Sequence, residues 1–221
     1  MAGIIYYYAT QGGIFMVMSE LFSVNEAAAI AQVSPETIRT ALEKKSLNPS
    51  LRQKKGKVAH PQFSAGDVLL MKVLVEFPFP LRKEDKEALA HILAGGRRSA
   101  LHWSKRGADL IYRSGKAQVS FECGPLKQMV EKNLALYRWG KRRVVSSPDI
   151  LSGEPVFRGT RIPLQHVAEL YRKGVPEQEI VNDFPSLSRR DLEYAQLFAR
   201  FSSKPGRPKK PLSFRRMPQS L

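Results

Sequence analysis

Two helix-start patterns lie close together near the N-terminal end of the chain, and the spacing between them leaves room only for short helices. Ser23 and Glu26 form an S-x-x-E capping box, which predicts a helix over 24–31. After a short break, Ser34 is the expected N-cap of a second helix, with Pro35 at its first position, where the missing amide hydrogen costs nothing. The chain is therefore constrained to begin its globular part with a helix-turn-helix arrangement.

The second helix is predicted to reach about Lys44, and in a helix-turn-helix protein it enters the major groove of DNA. Thr37, Arg39 and Thr40 are expected to face the groove. The candidate DNA-binding residues of this segment are Ser34, Glu36, Thr37, Arg39, Thr40 and Lys44.

The stretch 44–57 contains six basic residues and no acidic one, together with helix breakers. It predicts a basic loop or wing, and the alternative is a solvated loop whose charge has no function. Ser64 and Asp67 then cap a third helix with a strongly apolar body. The candidate phosphate contacts are Lys44, Lys54, Lys55 and Lys57, and the further candidate DNA-binding residues of this stretch are Lys45 and Arg52.

The segments LFSVNEAAAIAQVSPETIRTALEKKSLNPS and FSAGDVLLMKVL together resemble the winged-helix DNA-binding domain of MerR-type regulators. The resemblance implies a capped helix, a DNA-reading second helix, a basic wing and a capped third helix.

The segment 144–201 predicts a second small helical unit. Gly153 and Gly159 allow tight turns between short strand pieces at 144–146 and 156–157. Pro163 opens a helix with apolar residues at helical spacing, and Gly174 ends it. A second helix is expected after Pro176, with Ile180 and Val181 pointing inward, and a third helix is expected after a cap formed by Ser188 and Asp191. The core of this small unit is marginal alone, so the unit is expected to dimerise or dock on a neighbour.

The run PDILSGEPVFRGTRIP, followed by GVPEQEI and DFPSLS, is similar to a short helix-turn-helix-like domain long described as of unknown function. In bacteria this domain is typical of VapB-type antitoxins, whose genes lie beside PIN-like ribonuclease toxins. The resemblance implies such a toxin as partner. Arg158 and Arg161 are expected to hold the turn, through carbonyl groups or through Asp149 and Glu154, and not to form a site.

The tail 202–221 is rich in proline, serine and basic residues, which predicts disorder. Arg207, in PGRPK, resembles the core of an AT-hook that enters the minor groove of DNA. Resemblance to other antitoxins implies that a cationic segment occupies the toxin's acidic pocket. Phe214, Arg215 and Arg216 are the candidate toxin-binding residues.

The middle region, 78–143, predicts a helix over 85–93, a hairpin of 109–113 with 117–122, and a helix from Gly124 to about Tyr137. It is interpreted as a basic linking or dimerisation region. Residues 1–18 are either leader sequence or a strand that pairs with a partner or a second copy. The predicted domains are 1–18, 19–77 (winged helix), 78–143, 144–201 (antitoxin-type) and the tail 202–221.

Composition narrows the class of function. The 36 Lys and Arg against 20 Asp and Glu leave a net charge of +16, which favours a polyanionic partner, although a merely basic surface would look the same. Cys123 is the only cysteine and the four histidines are scattered, so no metal, cofactor or catalytic residue is predicted. The acidic residues are too dispersed for a metal-dependent nuclease.

The sequence therefore predicts a mainly α fold with small β elements, with an N-terminal MerR-like winged helix-turn-helix and a C-terminal three-helix helix-turn-helix-like domain. The expected function is that of an antitoxin that represses its operon at operator DNA and neutralises a PIN-like ribonuclease, as a homodimer or a toxin–antitoxin hetero-oligomer. The alternative is a free-standing MerR-like regulator. The opening segment lacks the features of a secretory signal or a membrane span, so a cytoplasmic, nucleoid-associated protein is expected.

Overall fold

The fold is mainly helical with small antiparallel sheets. The computed structural model describes residues 5–10, 13–18, 20–44, 47–49, 51–55, 58–93 and 99–201. The chain begins with a hairpin of β1 (Ile5–Thr10) and β2 (Gly13–Met18), in which Ile5 pairs with Met18. This segment was expected to be leader sequence or a strand that needs a partner. In the structure its two halves pair with each other.

The predicted short helices follow as α1 (Val24–Ala31) and α2 (Pro35–Glu43). Both predicted caps are present, since Ser23 and Glu26 form a reciprocal capping box and Ser34 caps α2. Between the helices Gln32 takes a left-handed conformation with φ of 53°, which ends α1 and turns the chain.

The basic stretch after α2 contains a strand, where a loop or wing was predicted. β3 (Leu51–Lys55) pairs antiparallel with β4 (Val58–Gln62), so that Lys54 lies opposite Ala59. Helix α3 (Ala65–Glu76) starts at the predicted Ser64 cap. Phe22 and Phe63, both fully buried, exchange two backbone hydrogen bonds of 2.9 Å. This bridge brings the residues before α1 and before α3 together.

The middle region has more sheet than predicted. After α4 (Lys83–Leu93), four antiparallel strands follow in sequential order: β5 (Ser99–Ala100), β6 (Trp103–Arg106), β7 (Asp109–Ser114) and β8 (Ala117–Phe121). The hairpin of β7 and β8 is the predicted one. β5 and β6 were missed because they are short and mostly polar.

Helix α5 (Gly124–Arg143) continues six residues past the predicted end at Tyr137. The prediction was wrong because Tyr137 and Gly140 are buried by other helices, and this burial stabilises the last turns. The C-terminal part comprises β9 (Val144–Val145), β10 (Val156–Phe157), α6 (Leu164–Arg172), α7 (Glu177–Asp183) and α8 (Arg189–Phe201).

Most predictions for the C-terminal part hold, with one exception. Gly153, Gly159 and Gly174 have the positive φ values expected of turn glycines. Ile180 is buried as predicted, but Val181 is 39% exposed. Consecutive residues of a helix lie about 100° apart around its axis, so a helix of seven residues that buries Ile180 turns Val181 outward.

One hydrophobic core joins the N-terminal and C-terminal parts of the chain. Helix α8 packs on α6, α5 and α1, while α5 also packs on α1 and α3. The ring of Tyr137 meets Phe22 edge-on at 5.5 Å and lies 5.9 Å from Phe201. The small C-terminal unit was expected to dimerise or dock, and it docks within its own chain.

Candidate nucleic-acid interface

Helix α2 presents a polar face to solvent beside the fixed helix α1. Ile38, 2% exposed, is the one residue of α2 classed as buried. Helical periodicity therefore turns its neighbours outward. Of the predicted DNA-binding residues in this segment, Thr40 is half-buried, and the exposed ones are Ser34, Glu36, Thr37, Arg39 and Lys44.

Several of these side chains already have partners on the surface. The Ser34 hydroxyl accepts the Thr37 amide at 3.0 Å and lies 2.8 Å from the Thr37 hydroxyl. Arg39 donates at 3.3 Å to both Glu36 and Asn25. The Arg39 and Glu36 side chains are 51% and 77% exposed, so this ion pair contributes little. The guanidinium can exchange these contacts for a phosphate or a base edge at low cost.

Helix α1 is anchored by α5. Tyr137 donates to one oxygen of Glu26 at 2.5 Å, while the other oxygen accepts from the Ser23 amide and hydroxyl. Asn133 donates to the carbonyl of Ile30 at 2.8 Å. Burial and the bond to Glu26 raise the pKa of Tyr137 well above its ordinary value. Both ends of α1 are thus fixed, which gives α2 a rigid support.

The remaining predicted DNA-binding and toxin-binding positions divide into two groups. Arg52, Lys54 and Lys55 lie in β3, directly after the loop that follows α2. The positions outside the described residues are Lys45, Lys57, Arg207, Phe214, Arg215 and Arg216.

A carboxylate that sequence reasoning treated only as a helix cap connects α5 to the C-terminal part. Asp191, fully buried, accepts from Arg143 at 2.7 and 3.2 Å and from Ser188 at 2.9 Å. Burial alone would raise the pKa of Asp191, but the bonds from Arg143 and Ser188 outweigh it and hold that pKa below its ordinary value. Arg158 donates to the carbonyl of Arg142 at 3.1 Å, which is a turn-holding contact of the expected kind.

A second buried carboxylate, Asp85, was also missed. His102 Nδ1 lies 2.7 Å from one Asp85 oxygen, the Tyr112 hydroxyl donates to the other at 3.1 Å, and Trp103 donates to the Asp85 carbonyl at 2.9 Å. Burial and the bond to Asp85 raise the pKa of Tyr112. These contacts attach α4 to the sheet. They were not predictable because the partners lie 17 to 27 residues away along the chain.

No group of three or more His, Cys, Asp or Glu side chains in the described ranges is arranged to hold a metal ion. Among the helices in that part of the chain, none has the length and apolar character needed to cross a membrane.

Comparison with known proteins gives an assignment for the C-terminal part. Residues 144–199 match the family described as "Protein of unknown function (DUF433)". The chain contains a C-terminal DUF433 domain. It includes β9, β10, α6 and α7, and the greater part of α8. Arg143, whose side chain holds Asp191, lies one residue before the DUF433 domain.

The similar proteins match different shares of this chain. "Uncharacterized protein y4eO" of Sinorhizobium fredii (strain NBRC 101917 / NGR234) is 39% identical over 64 residues, so the chain spans 29% of that relative's length and the match covers 29% of this chain. A DUF433 member protein from Anabaena variabilis ATCC 29413 is 24% identical over 33% of this chain and 71% of that one, with a TM-score of 0.25. Rv2018 from Mycobacterium tuberculosis is 14% identical over 79% of this chain and 96% of that one, with a TM-score of 0.34.

Proposed function

We propose that the protein is a non-enzymatic, DNA-binding antitoxin that represses its own operon and neutralises a PIN-like ribonuclease. The observation that carries the DNA-binding part is the exposed polar face of α2, next to an α1 that is held by Tyr137 and Asn133. A recognition helix needs both features, because base-edge contacts depend on a helix held in one position.

Charge supports DNA as the partner. The net charge of +16 gives an electrostatic gain on a phosphate backbone, since each neutralised phosphate releases counterions. In this proposal α1 to α3 with the β3–β4 hairpin act as a MerR-like winged helix. α2 lies in the major groove, and Lys44, Arg52 and Lys54 contact phosphates. Two copies act across a two-fold axis on repeated half-sites.

The antitoxin part is supported by the DUF433 domain and by the long, ordered motif that resembles VapB-type antitoxins. The cationic tail is the proposed inhibitor of the ribonuclease. A free-standing MerR-like regulator is the second candidate, because an open groove lies directly behind α2 and such a regulator needs an effector site. DNA binding through α2 is common to both candidates.

The test of DNA binding compares two substitutions on the promoter fragment upstream of the gene and on random DNA of equal length. Arg39→Ala should weaken promoter binding about tenfold and random-DNA binding much less, because a base contact carries sequence information. Lys54→Ala should weaken binding to both DNAs by a similar, smaller factor. It should also lower by about one the number of ions released on binding, which is measured from the salt dependence of the affinity. Arg106→Ala, an exposed arginine at the end of β6, is the control and should change neither. Equal losses on both DNAs for Arg39→Ala would remove α2 as the reading helix.

A further inference from the structure

An open groove lies on the inner side of α2, where that helix faces α3 and α4. Its volume is about 160 Å³. Ile38 of α2 and the α3 residues Met71, Leu74 and Val75 give it apolar walls, and the polar groups on its lining are Thr37 and Lys86. The groove is therefore bordered by the same helix that carries the proposed DNA-reading surface, and Thr37 belongs to both.

The groove matches a ligand of one chemical class. Its volume is close to that of an apolar cavity that accepts a benzene ring. Lys86 supplies a positive charge from α4, and within the described residues its amine has no ion-pair partner. The nearest acidic side chain along α3, Glu76, is instead paired with Lys72 at 2.6 Å. A ring-sized apolar body would fill the walls, and an anionic group would meet Lys86.

We propose that this groove binds a small aromatic or compact aliphatic carboxylate, and that the bound acid weakens DNA binding. The second half rests on the proposed function. The acid would neutralise Lys86 and bring a negative charge against α2, which lowers the attraction between this surface and phosphate. By linkage, DNA must weaken binding of the acid by the same factor.

The binding test titrates the full chain, in the absence of DNA, with benzoate as the probe. Isothermal titration calorimetry measures the binding. Benzyl alcohol is the neutral comparison with the same ring. Benzoate should saturate one site per chain, and benzyl alcohol should bind about tenfold more weakly because it lacks the charge. Lys86→Gln should weaken benzoate about tenfold and leave benzyl alcohol unchanged. Lys83→Gln is the matched control, because Lys83 is on the same helix but exposed and paired with Glu87. Its affinity for benzoate and for benzyl alcohol should equal that of the parent chain.

A second variant tests the apolar walls. Val75 is 48% exposed, so Val75→Trp fills the groove from its rim without disturbing the core, and it should abolish binding of both probes. Absence of saturable benzoate binding, or equal affinity for Lys86→Gln and the parent chain, would overturn the site. A change in oligomeric state of Val75→Trp, with no benzoate binding by the parent, would assign the groove to a second copy of the chain and also overturn the proposal.

The regulatory half has a separate readout. Saturating benzoate should lower affinity for the promoter fragment about fivefold in the parent chain and leave it unchanged in Lys86→Gln. Benzoate binding without any effect on DNA affinity would overturn the regulation. If the parent chain failed to bind DNA at all, the proposed function would fail, while the titration without DNA would still decide whether the site exists.

Discussion

The guanidinium of Arg143, at the last residue of α5, lies with Nε 2.7 Å from Oδ1 of Asp191, near the start of α8. Its Nη2 donates to the other oxygen at 3.2 Å, and its Nη1 donates to the carbonyl of Arg158 at 2.6 Å. Asp191 also accepts from the amide and hydroxyl of Ser188. The pair of Arg143 and Asp191 thus joins the end of α5 to the turn around Arg158 and to the cap of α8.

Asp191→Asn should lower the free energy of unfolding by about 3 kcal/mol, because it leaves a partly buried guanidinium without its counter-charge. The pH dependence follows from the lowered pKa of Asp191. A carboxylate whose pKa is lower in the folded state contributes its full stabilisation at pH values above its ordinary pKa of 3.8. This contribution is lost as the pH falls through the lowered pKa. Urea unfolding at pH 7 and at several values from pH 5 downward measures both effects.

The control for this experiment is Asp183→Asn, since Asp183 is exposed on α7. It should leave stability within about 0.5 kcal/mol of the parent chain. A parent chain and an Asp191→Asn variant that lose stability in parallel below pH 4 would contradict the role given to this carboxylate.

Gly140 is the point of closest approach between α5 and α8, and it gives the second prediction. A Cβ at this position would lie 2.1 Å from two ring carbons of Tyr194, which is itself buried. Gly140→Ala should therefore destabilise the protein by about 2 kcal/mol, despite the better helix propensity of alanine. Gly124→Ala, in the same helix, meets only Ala108 at 3.7 Å and should be neutral or slightly stabilising. Thermal unfolding of both variants is the measurement, and equal midpoints would mean that the helices can separate freely.

The short-range features of this fold could be predicted from the sequence. Ser23, Ser34, Ser64 and Ser188 all cap helices as expected, because a cap depends on residues three positions apart. The turn glycines and the hairpin of β7 and β8 follow local rules in the same way.

The features that were not predicted depend on contacts between residues far apart in the sequence. The extra turns of α5 are stabilised by helices that lie far away in sequence, and Gly140 was not recognised because a glycine within a helix can only be explained by its neighbour Tyr194. Helix α2, which carries the candidate site, was predicted. Its support through Tyr137 was not, because Tyr137 and Glu26 are separated by 111 positions.

The contact of Tyr137 with Glu26 gives the third prediction. Tyr137→Phe removes a hydrogen bond to a carboxylate and should cost about 1.5 kcal/mol of stability. Glu26→Gln keeps the capping box, since glutamine serves the same cap, but it weakens the bond from Tyr137. The double variant should cost clearly less than the sum of the single ones, as expected for two groups in direct contact. Simple additivity in urea unfolding would show that the two side chains do not interact in solution.

The last prediction concerns the tail after Phe201, residues that lie outside the described part of the chain. Phe201 itself packs on Tyr137 and Phe198, so a chain that ends at Ser203 keeps every described contact and should unfold at the same temperature as the full protein.

The tail carries six basic residues and no acidic one, and PIN-like ribonucleases hold Mg²⁺ in an acidic pocket. If the proposed function holds, the shortened chain should fail to neutralise the proposed ribonuclease partner in cells while it still binds promoter DNA. Arg215→Lys with Arg216→Lys is the matched charge control. It keeps both charges but loses the planar fork that meets a carboxylate pair, so it should also neutralise poorly. Full neutralisation by the chain that ends at Ser203 would exclude the tail as inhibitor, whereas a loss of DNA affinity alone would assign the tail to the minor groove through Arg207.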